Sequence, residues 1–206
     1  GKYISIDKFA AIASGTSGFC DCVLGWDVDD QLYDNATITG WHTAFPDASY
    51  RLDLASERRL VEEGGVPFFL GQFVAADGEE LHPVCPRSRL AAVLDEAAAM
   101  GFGIKLGFEY EFFVFRETAQ SARDKGFRDL VPLSPGNFGY SVLRANTYAE
   151  LFNAFMDYCV ELDMAVEGLH CETGPGVWEA AIAADAAGLG ADKAVLFKTF
   201  AKTFFQ

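Results

Sequence analysis

The sequence predicts an α+β protein, a small mainly-β unit followed by an α+β domain with a largely antiparallel sheet. Three observations lead there. Half of the 206 residues are hydrophobic and 14% are aromatic, which suffices for a substantial core and disfavours a disordered chain. Strand-like runs come first along the chain, and strands mixed with helices follow. The stretch "NTYAELFNAFMDYCVELDM" has the apolar spacing of a helix with one buried face.

The elements follow in order. Residues 1–80 read mostly as short strand-like runs separated by turns. "FCDCVLGWDV" (19–28) alternates weakly, and "VPFFLGQFVA" (66–75) is a strong apolar strand ended by an Asp77-Gly78 turn. Between them, "LYDNATITGWHTAFPDASYRLDL" is rich in Asn, Thr, Asp, Gly and Pro, so much of it is expected to be loop. "PVCPR" (83–87) marks a boundary. Ser88 is the expected N-cap of the next helix, which carries Leu90, Val93, Leu94 and Met100 on one stripe and ends at Gly101. A strand, "IKLGFEYEFFVF", comes next, then a polar linker over 116–130. In the long helix, Thr147 and Glu150 have capping-box spacing, and Leu151, Phe155, Tyr158 and Leu162 form the expected buried face. Two strands, "AVEGLHCE" and "VWEAAIA", are joined through Thr173-Gly174-Pro175-Gly176. A last helix covers roughly 189–206, with Val195, Leu196, Phe200 and Phe204 facing inward.

Composition narrows the function. The net charge of −14 argues against a nucleic-acid partner and is compatible with a protein that needs cations, although acidic solubility would also account for it. The five cysteines are odd in number and irregularly spaced, a poor disulfide framework that points to a reducing, cytoplasmic setting. Cys20-Asp21-Cys22 lacks zinc-ligand spacing. No run of about 18 uninterrupted apolar residues is present to span a membrane. The chain begins without an initiator Met and stops inside what reads as an unfinished helix, so it is expected to be part of something longer.

The chemistry concentrates in acidic pairs. Glu109 and Glu111 lie two apart in "GFEYEFFVF" and therefore share one strand face. Like charges side by side repel, and among aromatics each loses hydration. Solvent exposure, paired Arg or Lys, or metal ions would relieve that. Hard cations such as Mg²⁺ and Mn²⁺ take carboxylate oxygens. A second pair, Glu172 and Glu179, flanks the Gly174-Pro175-Gly176 turn, and a hairpin would bring both to one face. On spacing alone, a solvated barrel mouth or a salt-bridge network is the readier explanation of these pairs.

Several segments together resemble the glutamine synthetase family. "E-x-E-F-F-x-F" and "H-x-E-x-G-P-G-x-x-E" look like its two metal-binding segments. "YDNATITGW" (33–41), "FPDAS" (45–49), "CPRSRL" (85–90), "GNFGY" (136–140) and "ADKAVLFKTFAK" (191–202) resemble further family segments in the same order. The resemblance implies a β-grasp-like N-terminal domain over 1–82, incomplete at its start, and the N-terminal half of a glutamine-synthetase-type catalytic domain over 83–206. It implies an ATP-dependent ligase that joins ammonia or a small amine to the γ-carboxylate of glutamate through a γ-glutamyl phosphate. By position, Glu111, Glu172 and Glu179 would bind one Mg²⁺ or Mn²⁺ ion, and Glu109 would bind a second, nearer the ATP phosphates. Asp34 matches the aspartate that helps deprotonate ammonium; read alone, it fits an Asx turn. His170 and Tyr140 match substrate-side positions, and Trp41 a tryptophan packed near a neighbouring subunit's site; read alone, each fits ordinary packing. Cys171 stands where many members carry a second His. The family works as homo-oligomeric rings, sometimes stacked, with active sites shared between subunits. The seven-residue spacing from Glu172 to Glu179 resembles branches that use methylamine, ethanolamine or polyamines. Other members have lost catalysis and serve in structure or assembly, which is the alternative reading.

Overall fold

The computed structural model describes residues 1–27, 31–33, 37–75, 78 and 80–206. The chain divides into two compact units, Gly1–Gly103 and Ile104–Gln206.

The first unit opens with α1 (Ile6–Ile12), a helix in a region where the sequence suggested mostly short strands. Ser5 caps it by accepting from the Lys8 amide, 3.2 Å, and Phe9 stacks on Phe69 with ring centroids 5.1 Å apart. β1 (Ser17–Cys20), β2 (Asp47–Leu60) and β3 (Val66–Phe73) form an antiparallel sheet in that order. A 3-10 turn over Asp21–Leu24 takes the middle of the weakly alternating stretch, whose Val28 lies outside the described residues. The expected loop over 32–54 gives way to β2 from Asp47 onward. β2 is the central strand, so pairing on both edges outweighs its polar composition. Asp77, of the expected turn, lies outside the described residues; Gly78 has φ +80°.

α2 (Pro86–Ala99) starts two residues before the expected cap. Pro86 takes the first helical position, where its missing N–H costs nothing, and Cys85 is the cap residue. Ser88 is instead fully buried; its hydroxyl donates to the Phe73 carbonyl, 2.8 Å, and accepts from Gln72 Nε2, 3.1 Å. Arg87 pairs with Asp53. Leu90 and Leu94 are half-buried, but Val93 and Met100, which share a different face of the helix, are exposed.

In the second unit the long expected strand breaks in two. β4 (Lys105–Leu106) pairs with β8 (Asp185–Ala186), and β5 (Glu109–Phe113) pairs with β7 (Val177–Ile182). β6 (Val166–Cys171) closes an antiparallel sheet of order β5-β7-β6. The linker after β5 is ordered and contains α3 (Ala119–Asp124), capped reciprocally by Thr118 and Ser121. The Glu117 carboxylate accepts from Lys125 Nζ (2.6 Å), the Val131 amide (2.9 Å) and the Ser121 hydroxyl (2.6 Å).

The long helix is also two pieces, α4 (Val142–Thr147) and α5 (Ala149–Glu161). The Thr147–Glu150 capping box does not form, because Thr147 donates back to the Leu143 carbonyl inside α4, 3.0 Å. Phe152, Phe155, Tyr158, Cys159 and Leu162 are buried, while Leu151 is only half-buried. α6 (Ala187–Phe204) lays Leu196, Phe197 and Phe200 into the core; Phe204 is half-buried and Val195 is 60% exposed. Gly190 lets α6 reach β4, since a Cβ there would stand 2.7 Å from the Leu106 carbonyl oxygen. The core is aromatic: Trp178 stacks on Phe152 at 3.5 Å, and Phe112, Phe155 and Phe197 meet edge-on. Among the described residues no helix is long and apolar enough to cross a membrane.

Candidate active site

The β5-β7-β6 sheet has two unlike faces. Tyr110, Phe112, Trp178, Ala180 and Cys171 lie on the core side, the Tyr110 ring stacked on Phe197. Strand alternation sends the intervening residues the other way. Register then aligns one residue from each strand: Glu111 faces Glu179, and Glu179 faces His170. Directly opposed side chains on one face have Cβ atoms about 4.5–5.5 Å apart. Glu172, two residues beyond His170, shares its side.

Glu109 and Glu111 are exposed. The aromatics around them suggested a buried strand, but β5 is an edge strand of this sheet, and only its even-numbered residues and Val114 face the core. Solvent thus relieves part of the repulsion. Glu109 lies opposite Ala181, one step along the same face, where no second carboxylate opposes it.

Glu172, Glu179 and His170 converge. Their nearest ligand atoms all lie within 4.8 Å of one another. His170 Nε2 stands 3.2 Å from Glu179 Oε2 and 3.5 Å from Glu172 Oε2, yet neither contact has hydrogen-bond geometry. Among the described residues, His170 Nε2 and Glu172 Oε2 are therefore buried polar atoms without a partner of good hydrogen-bond geometry. Two carboxylates and an imidazole aimed at one point fit a divalent cation. The oxygen donors suit Mg²⁺ or Mn²⁺, and the nitrogen favours Mn²⁺ of the two.

The Thr173-to-Gly176 turn fixes the pair. Gly176 has φ +73°, and a Cβ on it would stand 2.7 Å from the Val114 carbonyl oxygen. Thr173, legible in the sequence only as a turn residue, donates its hydroxyl to Glu172 Oε1, 2.9 Å. The Thr173 hydroxyl and amide hold the Glu172 carboxyl below the usual carboxylate range.

Tyr140 caps the cluster. Its ring stacks on His170, centroids 4.6 Å apart, and its amide donates to the Cys171 carbonyl, 2.8 Å. It holds a left-handed backbone, φ +59°, uncommon outside glycine. The neighbouring Glu172 charge, then burial and Glu179, push its hydroxyl above the ordinary tyrosine range. Cys171 points away from the cluster, into the core, so its departure from the family pattern changes the opposite face.

The structure does not bring all the expected residues together. Asp34 lies outside the described residues. Trp41, in the first unit, is 66% exposed and meets Phe45 edge-on, so it is not a core residue there.

The catalytic-domain model of glutamine synthetase matches residues 83–205. Among curated proteins, the chain is 42% identical to the type-1 glutamine synthetase 2 of Dictyostelium discoideum, over 96% of this chain and 38% of that protein. It is 31% identical to a gamma-glutamylethanolamide synthetase of Streptomyces coelicolor, over 91% of this chain and 40% of the relative. A solved ligand-free structure of GmaS superposes with a TM-score of 0.74 at 19% identity, covering 98% of this chain and 43% of that one. The chain thus spans about two fifths of the length of these relatives.

Proposed function

Since this chain belongs to the glutamine synthetase family, we propose that the protein carrying it is an ATP-dependent ligase that joins ammonia or a small amine to the γ-carboxylate of glutamate through a γ-glutamyl phosphate. The observation that carries the reading is the pair of buried, unpartnered atoms, His170 Nε2 and Glu172 Oε2, beside Glu179. Such atoms are costly unless something occupies the space between them.

In this reading Glu172, Glu179 and Glu111 hold a divalent cation, and Glu109 serves a second. A cation there would neutralise negative charge that builds up during phosphoryl transfer. The side chains have further tasks. Glu172 and Glu179 offer negative charge to an incoming ammonium group. His170, held flat by Tyr140, directs Nε2 at the same point as Glu172 and Glu179, where it meets the cation or the substrate beside it. Thr173 keeps Glu172 ionised and fixed in rotamer. Asp34 is assigned the ammonium proton. The same reading makes the protein a ring-forming homo-oligomer with shared sites. The ethanolamide named for the Streptomyces relative supports an amine larger than ammonia as acceptor.

The test is phosphate release by the full-length protein with glutamate, ATP and Mg²⁺, across ammonia, methylamine, ethanolamine and a polyamine. Amine-dependent release with at least one of them is expected. No release with any amine, from folded protein that binds Mn²⁺, would leave the structural-protein reading.

A further inference from the structure

We propose that Arg144 is an oxyanion-binding residue of this site, its guanidinium taking a carboxylate or phosphoryl oxygen of a substrate at the mouth of the cavity it shares with Glu172. The proposal rests on the ligase reading, which supplies substrates of that chemistry.

Arg144 lies in α4 and is half-buried. Its backbone amide donates to Ser141 Oγ, but its guanidinium makes no ion pair or hydrogen bond with any described residue. That is unexpected in a chain with 30 acidic residues against 16 basic ones. It lies over a ring, Cζ standing 4.3 Å from the centroid of Phe138, and its charge also reaches the Cys171 thiol. An aromatic face holds a guanidinium in place without using its five donors. Those donors, in a planar fork, match carboxylate and phosphate oxygens.

The surroundings suit a small anionic group. Arg144 lines a narrow cavity with Ser134, Gly136, Cys171, Glu172 and Trp178. The space admits about one water-sized group, so a single anion oxygen fits while the rest of the ligand stays at the mouth. The wall does not yield easily. A Cβ on Gly136 would stand 2.5 Å from the Phe138 ring, and one on Gly176 would meet the Val114 carbonyl. The segment bearing Phe138 also carries Tyr140, which stacks on His170. One short stretch of chain therefore joins the unpartnered cation to the acidic cluster. A substrate reacting beside Glu172 with an oxyanion of its own would reach Arg144 through the cavity that the two residues share, where the guanidinium charge offsets that of the carboxylate.

The experiment uses the full-length protein with Arg144→Ala, Arg144→Lys and Arg144→Met. It measures KM for glutamate, KM for ATP, inhibition by inorganic phosphate, and Mn²⁺ affinity. Arg144→Ala is expected to raise the constants of one substrate by roughly 10- to 100-fold, with Mn²⁺ affinity within about twofold of wild type. Lysine should recover only part, because it lacks the fork. Methionine keeps the bulk over Phe138 and should behave like alanine. A rise confined to glutamate identifies a carboxylate, and a rise confined to ATP and phosphate identifies a phosphoryl group. The proposal is overturned if all these constants stay within about twofold. It is also overturned if Arg144→Met behaves as wild type, or if turnover and Mn²⁺ affinity fall together, which marks a packing role. Should wild type show no turnover with any amine, the ligase reading fails on its own. Calorimetric binding of glutamate and of phosphate to wild type and Arg144→Met then still decides the role of Arg144.

Discussion

Replacing Glu179 with Gln should make the metal-free protein more stable than wild type and the metal-loaded protein less stable than wild type. Glu179 is the middle of the row, opposite both Glu111 and His170 and close to Glu172 through the shared His170 contact. Two unit charges about 5 Å apart repel by ~0.8 kcal/mol even with water-like screening. Glu172 is one such neighbour, its carboxylate within 4.8 Å of that of Glu179; Glu111, opposite in register, adds a share, and loss of the His170 contact offsets part of the sum. Glu179→Gln, nearly identical in shape, should therefore stabilise the EDTA-treated protein by roughly 0.5–1 kcal/mol. With Mn²⁺ at about 100 times its dissociation constant, wild type gains about 2.7 kcal/mol and the variant loses most of that gain. Differential scanning calorimetry of the full-length protein in EDTA and in Mn²⁺, at one pH, reads both states. The variant should unfold a few degrees higher in EDTA and lower in Mn²⁺. A variant less stable than wild type in both conditions would refute the idea that repulsion relieved by a cation governs this cluster.

Three further outcomes are expected. Phe155→Ala removes a side chain with no exposure that touches Phe112, Phe197, Phe204 and Phe205, and should cost about 3–5 kcal/mol in chemical denaturation. Gly176→Ala forces a Cβ against the Val114 carbonyl at positive φ; it should cost about 1–3 kcal/mol and weaken Mn²⁺ binding through the displaced Glu172–Glu179 hairpin, read by titration calorimetry. Glu117 is held at about 2, first by its bond to Lys125, then by Ser121 and Val131. Because the folded value is depressed, its contribution is fully present above the ordinary carboxylate range and is lost as pH falls toward 2. Hydrogen-exchange protection over residues 118–131, taken relative to the intrinsic rate at each pH, should fall through that acid window in wild type, and Glu117→Gln should flatten the dependence.

What the sequence made legible, and what it did not, has physical reasons. The alternation in "EYEFF" and the Gly-Pro-Gly turn were readable because period-two patterning and turn chemistry are local. Both strands and the hairpin appear where the pattern puts them. The convergence of Glu172 and Glu179 was anticipated from the turn, but the alignment of Glu111 with Glu179 depends on register across β5 and β7, a long-range property. β2 was missed because pairing on both edges overrides a polar composition. The Thr147 cap and the Ser88 cap failed for another reason. Each hydroxyl has a second acceptor available, Leu143 in one case and Phe73 in the other, and no propensity scale records it. Arg144 carried no motif at all; only coordinates display a guanidinium without a carboxylate.

The most direct measurement is anomalous scattering from crystals of the full-length protein grown with Mn²⁺. A peak between Glu172 and Glu179, within coordination distance of both and with Glu111 on its flank, is the predicted result. A map in which Mn²⁺ lies elsewhere while those carboxylates bond only to protein or solvent would contradict the account.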